Sequence, residues 1–292
     1  RLIANNPACG DSAVGVPLQL NYVWKGQTST DWSNPLNWYS DEVPDLNCDN
    51  VYVLSRPYPF QPTINAGYAA PTIKNLHVYK NAVVTVLGEL QIAGHISNYG
   101  TGTLIARNGT LNLNAPSGTD RTLDANTFTN NDLFNLNLDN ASRTIINSGQ
   151  LNIYGTLSFG MPIAPFPNYV GGGNKDFRTN DLLTLKSIAA GTAKVADLTN
   201  NGSNSGNVIT GKATVERYCP ALQSWRFLAI PTVPGQTVKA AWQEGAMSIG
   251  ENPVPGYGTM ITTVDAGIVT SGGFDRYSAG STSVKWYDPS TN

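Results

Sequence analysis

Asn75-Leu76-His77-Val78-Tyr79-Lys80-Asn81-Ala82-Val83-Val84-Thr85-Val86 and, 60 positions on (135 − 75), Asn135-Leu136-Asn137-Leu138-Asp139-Asn140-Ala141-Ser142-Arg143-Thr144-Ile145-Ile146 read as two copies of one pattern. Each runs into a second shared unit, Gly88-Glu89-Leu90-Gln91-Ile92-Ala93-Gly94 and Gly149-Gln150-Leu151-Asn152-Ile153-Tyr154-Gly155. A further copy of that unit, Gly109-Thr110-Leu111-Asn112-Leu113-Asn114, lies between them. The spacings are 21 from Gly88 to Gly109 and 40 from Gly109 to Gly149, so the period is close to 20 with one degenerate turn skipped, and 60 is three turns. Short alternating strands at that period, with Gly or Asn at the corners and no helix-forming stretch, are what a right-handed parallel β-helix needs. Leu, Ile and Val would point inward and stack, while Asn81 and Asn140 would take left-handed corner conformations and bond the next turn's backbone. A leucine-rich repeat is the rival, because Ile73-x-x-Leu76-x-Val78-x-x-Asn81 fits its consensus once. The second copy puts Ala141 at the Asn position and has strands where a helix should lie, so the β-helix is preferred.

Composition agrees with an all-β chain. Glycine (29), proline (18) and abundant Asn, Ser and Thr punctuate the 292 residues too often for helices to propagate. Charged residues are 13% of the chain and the net charge is −2. A nucleic-acid binder needs a basic excess to neutralise phosphates, so nucleic acid is excluded as an expected partner. Apolar runs such as Ala82–Leu87 are far shorter than a membrane span, and membrane insertion is not expected. The chain begins at Arg1 with no Met and no hydrophobic signal core, and reads as a processed form or a fragment.

Four regions follow. Residues 1–20 form an extended segment with the alternation Val14, Val16, Leu18, Leu20. Residues 21–70 carry Trp24, Trp32 and Trp38 among Gly, Asn and Pro, and read as an aromatic cap of short strands and turns. Exposed indole faces would instead make a sugar platform. Residues 71–188 hold the β-helix. Beyond the Asn200–Gly206 linker the strands carry larger residues, and 189–292 reads as a β-sandwich-like domain, with no closing turn or polar tail before Asn292, so continuation of the native chain is expected.

Cys9, Cys48 and Cys219 have no Cys-x-x-Cys spacing, and the histidines are His77 and His95 alone, so zinc and iron–sulfur ligand sets are lacking. A Cys9–Cys48 disulfide would tie down the N-terminal segment, whereas Cys219 reads as a buried small hydrophobe. Asp41, Glu42, Asp45 and Asp49 are the candidate Ca²⁺ oxygens, although their spacing matches no loop signature and Pro44 interrupts them. No other cofactor is expected. A lyase or hydrolase on a β-helix would align carboxylates with Arg or Lys; the candidates are Asp120, Arg121, Asp124, Asp132, Asp139 and Arg143. In the register above they form no column, and salt bridges and turn caps are the preferred reading.

Trp24-x-Gly26 with Asp31-Trp32 and Asn37-Trp38 resembles the cap segment of large secreted β-helix surface proteins of Bacteroidota-type bacteria. So does Leu182–Ser187 with Gly191-Thr192-Ala193, and Val215–Tyr218 with Trp225–Leu228, Trp242-Gln243-Glu244 and Gly273-Phe274-Asp275 is similar to the region that follows the helix in those proteins. The resemblance implies type IX export through a C-terminal sorting domain, which this sequence lacks, and an extracellular or outer-surface location with secretion and cell-surface components as partners.

Two functional classes are left. The preferred one is a non-catalytic structural or adhesive protein with the solenoid as rigid scaffold, whose residues 1–20 either complete its own cap, the favoured role because a Cys9–Cys48 bridge would hold them there, or pair with a neighbour's strand edge and build a fibre. The alternative is a carbohydrate-binding or polysaccharide-degrading module, with Trp24, Trp32 and Trp38 or Trp225, Trp242 and Trp286 as stacking rings. Burial of the indoles favours the first and exposed coplanar rings the second.

Overall fold

A computed structural model of the chain describes residues 21–54, 59–114, 120–139, 143–160, 162–163, 168–169, 174–199 and 202–218. The chain divides into two compact units, Arg1–Pro220 and Ala221–Asn292. The second unit lies outside the described residues, and with it Trp225, Trp242, Trp286 and most of the expected sandwich.

The described part is all-β, built mainly from parallel sheets. A leading strand, β1 (Asn21–Val23), pairs in parallel with β2 (Asn50–Val53), which forms a first rung with β3 (Thr63–Ile64) and β4 (Thr72–Ile73). The second rung is β5 (Asn75–Val78), β6 (Val83–Val86) and β7 (Glu89–Ile92); the third is β8 (Ile96–Asn98) and the long, bent β9 (Thr103–Leu113). Then come β10 (Arg121–Asp124) with β11 (Phe128–Leu138), and β12 (Arg143–Ser148) with β13 (Leu151–Ile153) and β14 (Thr156–Phe159). An antiparallel pair, β15 (Pro162–Ile163) and β16 (Asn168–Tyr169), interrupts the order. The sixth rung has β17 (Asp176–Arg178), β18 (Leu183–Leu185), the hairpin β19 (Ser187–Ile188) and β20 (Gly191–Thr192), and β21 (Lys194–Val195). The last is β22 (Val208–Thr210) and β23 (Ala213–Val215).

Most rung strands pair in parallel with their counterparts one rung on, the break being between β8 and β10, which fall in separate sheets. Leu76 meets Ile96 and Val84 meets Leu104, 20 positions apart in both cases (96 − 76, 104 − 84). Inward residues therefore stack as columns: Leu90, Leu111, Leu136 and Leu157 in one, Ile92, Leu113, Leu138 and Phe159 beside it. All eight are at most 2% exposed, and burial alternates along strands such as β5 to β7 because successive side chains leave a strand on opposite faces.

The register corrects the 60-residue alignment. Leu76 stacks between Val51 and Ile96, whereas Leu136 stacks between Leu111 and Leu157, so the aligned segments occupy different faces of the rung. What Asn75 and Asn135 do share is a corner device. Asn75 Oδ1 accepts from His95 N at 2.7 Å and Asn135 Oδ1 from Thr156 N at 2.8 Å, each tying its corner to the next rung. The residues just before the acceptors' donors are Gly94 and Gly155, where a Cβ would run into that same Asn oxygen. Asn81 is left-handed as expected (φ 63°), but it binds the Thr101 side chain one rung on rather than backbone. Asn140 lies outside the described residues.

The boundaries 21–70 and 71–188 also shift. The cap supplies β1 to β4 to the same sheets, and parallel pairing continues past residue 188 through β17–β22 and β18–β23 to Val215. Inserted loops lengthen the later rungs, Leu151 pairing with Leu183, 32 positions on (183 − 151), which hides the 20-residue period there.

Candidate functional site

Trp24, Trp32 and Trp38 are 3%, 2% and 0% exposed, which overturns the sugar-platform reading for this set. Trp38 stands edge-on to Trp32 at 4.7 Å and to Trp24 at 5.0 Å, and Tyr22 adds a further edge contact. Two of the three polar ends are tied inward, Trp38 Nε1 donating to Trp32 O and Trp24 Nε1 to Phe60 O, both at 2.9 Å. Asn37, fully buried, holds the loop around them: Oδ1 accepts from Thr28 N and Ser29 N, and Nδ2 donates to Ser29 Oγ and Asp31 O. Gly26 turns the chain here with φ 58° against the Phe60 carbonyl, a conformation and a clearance that glycine suits.

The acidic residues considered for Ca²⁺ serve the turns instead. Asp49, fully buried, accepts from Asp45 N and Leu46 N through Oδ2, and Asp45 Oδ1 accepts from Thr72 N. Burial raises the Asp49 carboxyl above its usual range, the two backbone hydrogen bonds working against that rise. Among the described residues no group of three or more His, Cys, Asp or Glu is placed to hold a metal ion. Cys48 is in a disulfide; Cys9 and Cys219 lie outside the described residues.

Of the carboxylate and arginine candidates only Asp120 and Arg143 meet, as a salt bridge, and they do so in a ladder completed by Asp176 and Arg178, which sequence reading did not single out. Arg143 Nη1 meets Asp120 at 3.0 Å and its Nε meets Asp176 at 3.4 Å, while Arg178 Nε meets Asp176 at 2.9 Å, a ladder across three rungs. Burial pushes the Asp176 carboxyl up, but hydrogen bonds from Arg178, Thr210 and Arg143 more than offset this and leave it below its usual range. Asp124 caps the short 3₁₀ turn Ala125–Thr127 and accepts from Ser148 Oγ at 2.5 Å. Arg121 is buried and donates to the carbonyls of Ile92 and Ala93, with burial lowering its pKa to about 10. Alternating signs in contact make an electrostatic tie, with each carboxylate already neutralised.

Asp132 belongs to another constellation, one missed in the sequence because its members come from three rungs. Its Oδ2 accepts from Arg107 Nη1 at 3.1 Å and its Oδ1 from Asn152 Nδ2 at 3.0 Å. The Arg107 guanidinium lies over the Tyr154 ring, 2.9 Å from its centroid. Burial, then the Asp132 charge, keeps the Tyr154 hydroxyl protonated above its usual range. These residues stand where each rung bends: Arg107 and Asn108 within β9, Phe134 at the register shift in β11, Tyr154 between β13 and β14. With Ile188 and Lys194 they line an open groove of about 350 Å³. The signal available in advance was an aromatic or long side chain at each bend, but it needs the register to be seen.

Comparison of the chain with protein-family models, curated proteins and solved structures finds no match. No helix among the described residues is long and apolar enough to cross a membrane.

Proposed function

We propose that residues 21–215 form a right-handed parallel β-helix and that the protein is a non-catalytic extracellular structural or adhesive scaffold of the kind it resembles among secreted Bacteroidota-type surface proteins. The observation carrying this reading is how the aromatic and charged residues are used. The three N-terminal indoles fill the interior, and the Asp120–Arg143–Asp176–Arg178 ladder binds rung to rung. Both uses favour a stiff rod over a reactive surface, since continuous parallel pairing with polar ties at corners resists bending. Type IX export would place such a rod on the outer surface, where the Cys48 disulfide is stable. Strand pairing through residues 1–20 is the proposed route to fibres.

Localisation tests the reading: the native gene, expressed in its own cells, should yield protein that external protease removes from intact cells. Retention inside the cell overturns it. Deleting residues 1–20 and measuring particle size by light scattering tests the fibre, which should fall apart on deletion.

A further inference from the structure

We propose that the groove at the bends of the third to sixth rungs binds a linear polysaccharide bearing carboxylate groups. Arg107 and Asn108, Phe134, Tyr154, and Ile188 with Lys194 come from four successive rungs, so the groove runs along the stack axis for about 14 Å. That length and direction suit a chain rather than a compact small molecule.

Its chemistry is specific in sign. The charged side chains lining it are Arg107 and Lys194, both cations. Asp132 lies beneath Arg107 with both carboxylate oxygens engaged, and neutralises that one charge. Lys194 is exposed and makes no ion pair among the described residues, so the groove keeps an uncompensated positive charge. Arg107 uses only Nη1 on Asp132; Nε and Nη2 are left to face an incoming acid, and the Tyr154 ring holds the guanidinium plane in place. Phe134, 41% exposed, offers a flat apolar face beside these donors. Sugar rings present C–H faces that pack on such aromatics, while their carboxylates take the cations.

An extended acidic peptide is the rival polyanion. Peptides add to a sheet through an unpaired strand edge, and here β9, β11, β13 and β14 are paired on both sides, while β21 and the β19–β20 hairpin at the sixth rung keep one side without a strand partner among the described residues. Along the third to fifth rungs the groove offers side chains and no open edge, so a polyanion running its length meets side chains over most of its path.

The proposal deepens the adhesive reading, and rests on it for contact with a glycan-bearing surface. Titration calorimetry of the full chain at low salt with oligogalacturonate, a linear carboxylated sugar, should give saturable binding. Lys194→Glu and Phe134→Ala, both exposed positions, should keep the melting temperature and weaken that binding at least about tenfold each. Neutral cellohexaose and poly-L-glutamate should bind far more weakly. No binding of oligogalacturonate, binding untouched by both variants, or equal binding of either control overturns the proposal. A groove variant that loses galacturonate while protein stays protease-accessible on cells keeps the two readings separate, as does galacturonate binding by a protein found inside the cell.

Discussion

Between Tyr22 and Trp38, aromatic rings touch one another at 4.7–6.4 Å, brought together by a chain that loops back on itself within seventeen residues (38 − 22 + 1). In the columns of the stack, each aliphatic side chain instead meets its counterpart from the neighbouring rung, a contact made only when parallel strands find one another across twenty or more positions. The first region places its whole interior in a few large residues held by side-chain hydrogen bonds to one Asn. The second spreads its interior over many similar ones, with backbone pairing as the frame. A cap of the first kind has no spare parts, while a column of the second kind loses one layer at a time.

The largest effect should follow from emptying the cap. Trp38→Ala removes the ring that touches Tyr22, Trp24 and Trp32, and is expected to cost about 3–5 kcal/mol, read as a shift in denaturation midpoint. Trp38→Phe should cost more than Trp32→Phe. The Trp38 Nε1 donor would be lost from Trp32 O, whereas Trp32 Nε1 is buried without an acceptor among the described residues. Equal costs for the two Phe variants would mean that the indole hydrogen bond does not help hold the cap.

In the stack, Leu136→Ala is expected to cost about 2–5 kcal/mol, because Leu111 and Leu157 above and below are fixed by their own pairing and cannot close the cavity. Its neighbour Asn137, on the opposite face of the strand, is 4% exposed and accepts from Ser158 Oγ at 3.0 Å. Asn137→Ala should therefore also destabilise, though less than Leu136→Ala. A neutral effect would show that this polar column, Asn112, Asn137 and Ser158, is no structural tie.

The corner asparagines put the same comparison on a smaller scale. Asn37→Ala strips four hydrogen bonds from a fully buried site and is expected to cost about 1–3 kcal/mol. Asn135→Ala, half-buried with bonds to Thr156 N and Thr110 Oγ1, should cost about 1 kcal/mol. A reversal of that order would mean that rung-to-rung ties, and not the cap loop, limit stability.

What could be read in advance follows from the same contrast. Alternation of Leu and Ile with polar residues, Gly at the bends and a short period were enough to see parallel strands, because those features are local. The register was not, since segments such as Asn75–Val78 and Asn135–Leu138 carry one alternating pattern and pairing alone decides which face each occupies. The burial of Trp24, Trp32 and Trp38 was a choice between two readings that local composition cannot separate. The groove was invisible for the register's reason: Arg107, Asp132 and Tyr154 have no common motif, and only the stacking of bends brings them together.

The smallest effect should come from a ring ladder on the outer face of the first three rungs. Tyr52, in the first rung, stacks on His77 at 4.6 Å and 17°, and His77 in turn lies 6.0 Å from the Tyr99 ring, with the Tyr99 hydroxyl 3.4 Å from its Nδ1. Burial, and then the charge of His95, lowers the His77 pKa below its ordinary 6.5. The folded chain thus holds the neutral imidazole, while the unfolded chain takes up its proton on reaching about pH 6.5 from above. Below that pH the unfolded state binds more protons, so stability rises with pH in this window: it is lost as pH falls from about 6.5 through the lower folded value and is constant above. His77→Gln should flatten the part of the stability profile that lies just below about pH 6.5. An unchanged slope in the His77 variant would show that burial of this ring does not set the pH dependence of stability there.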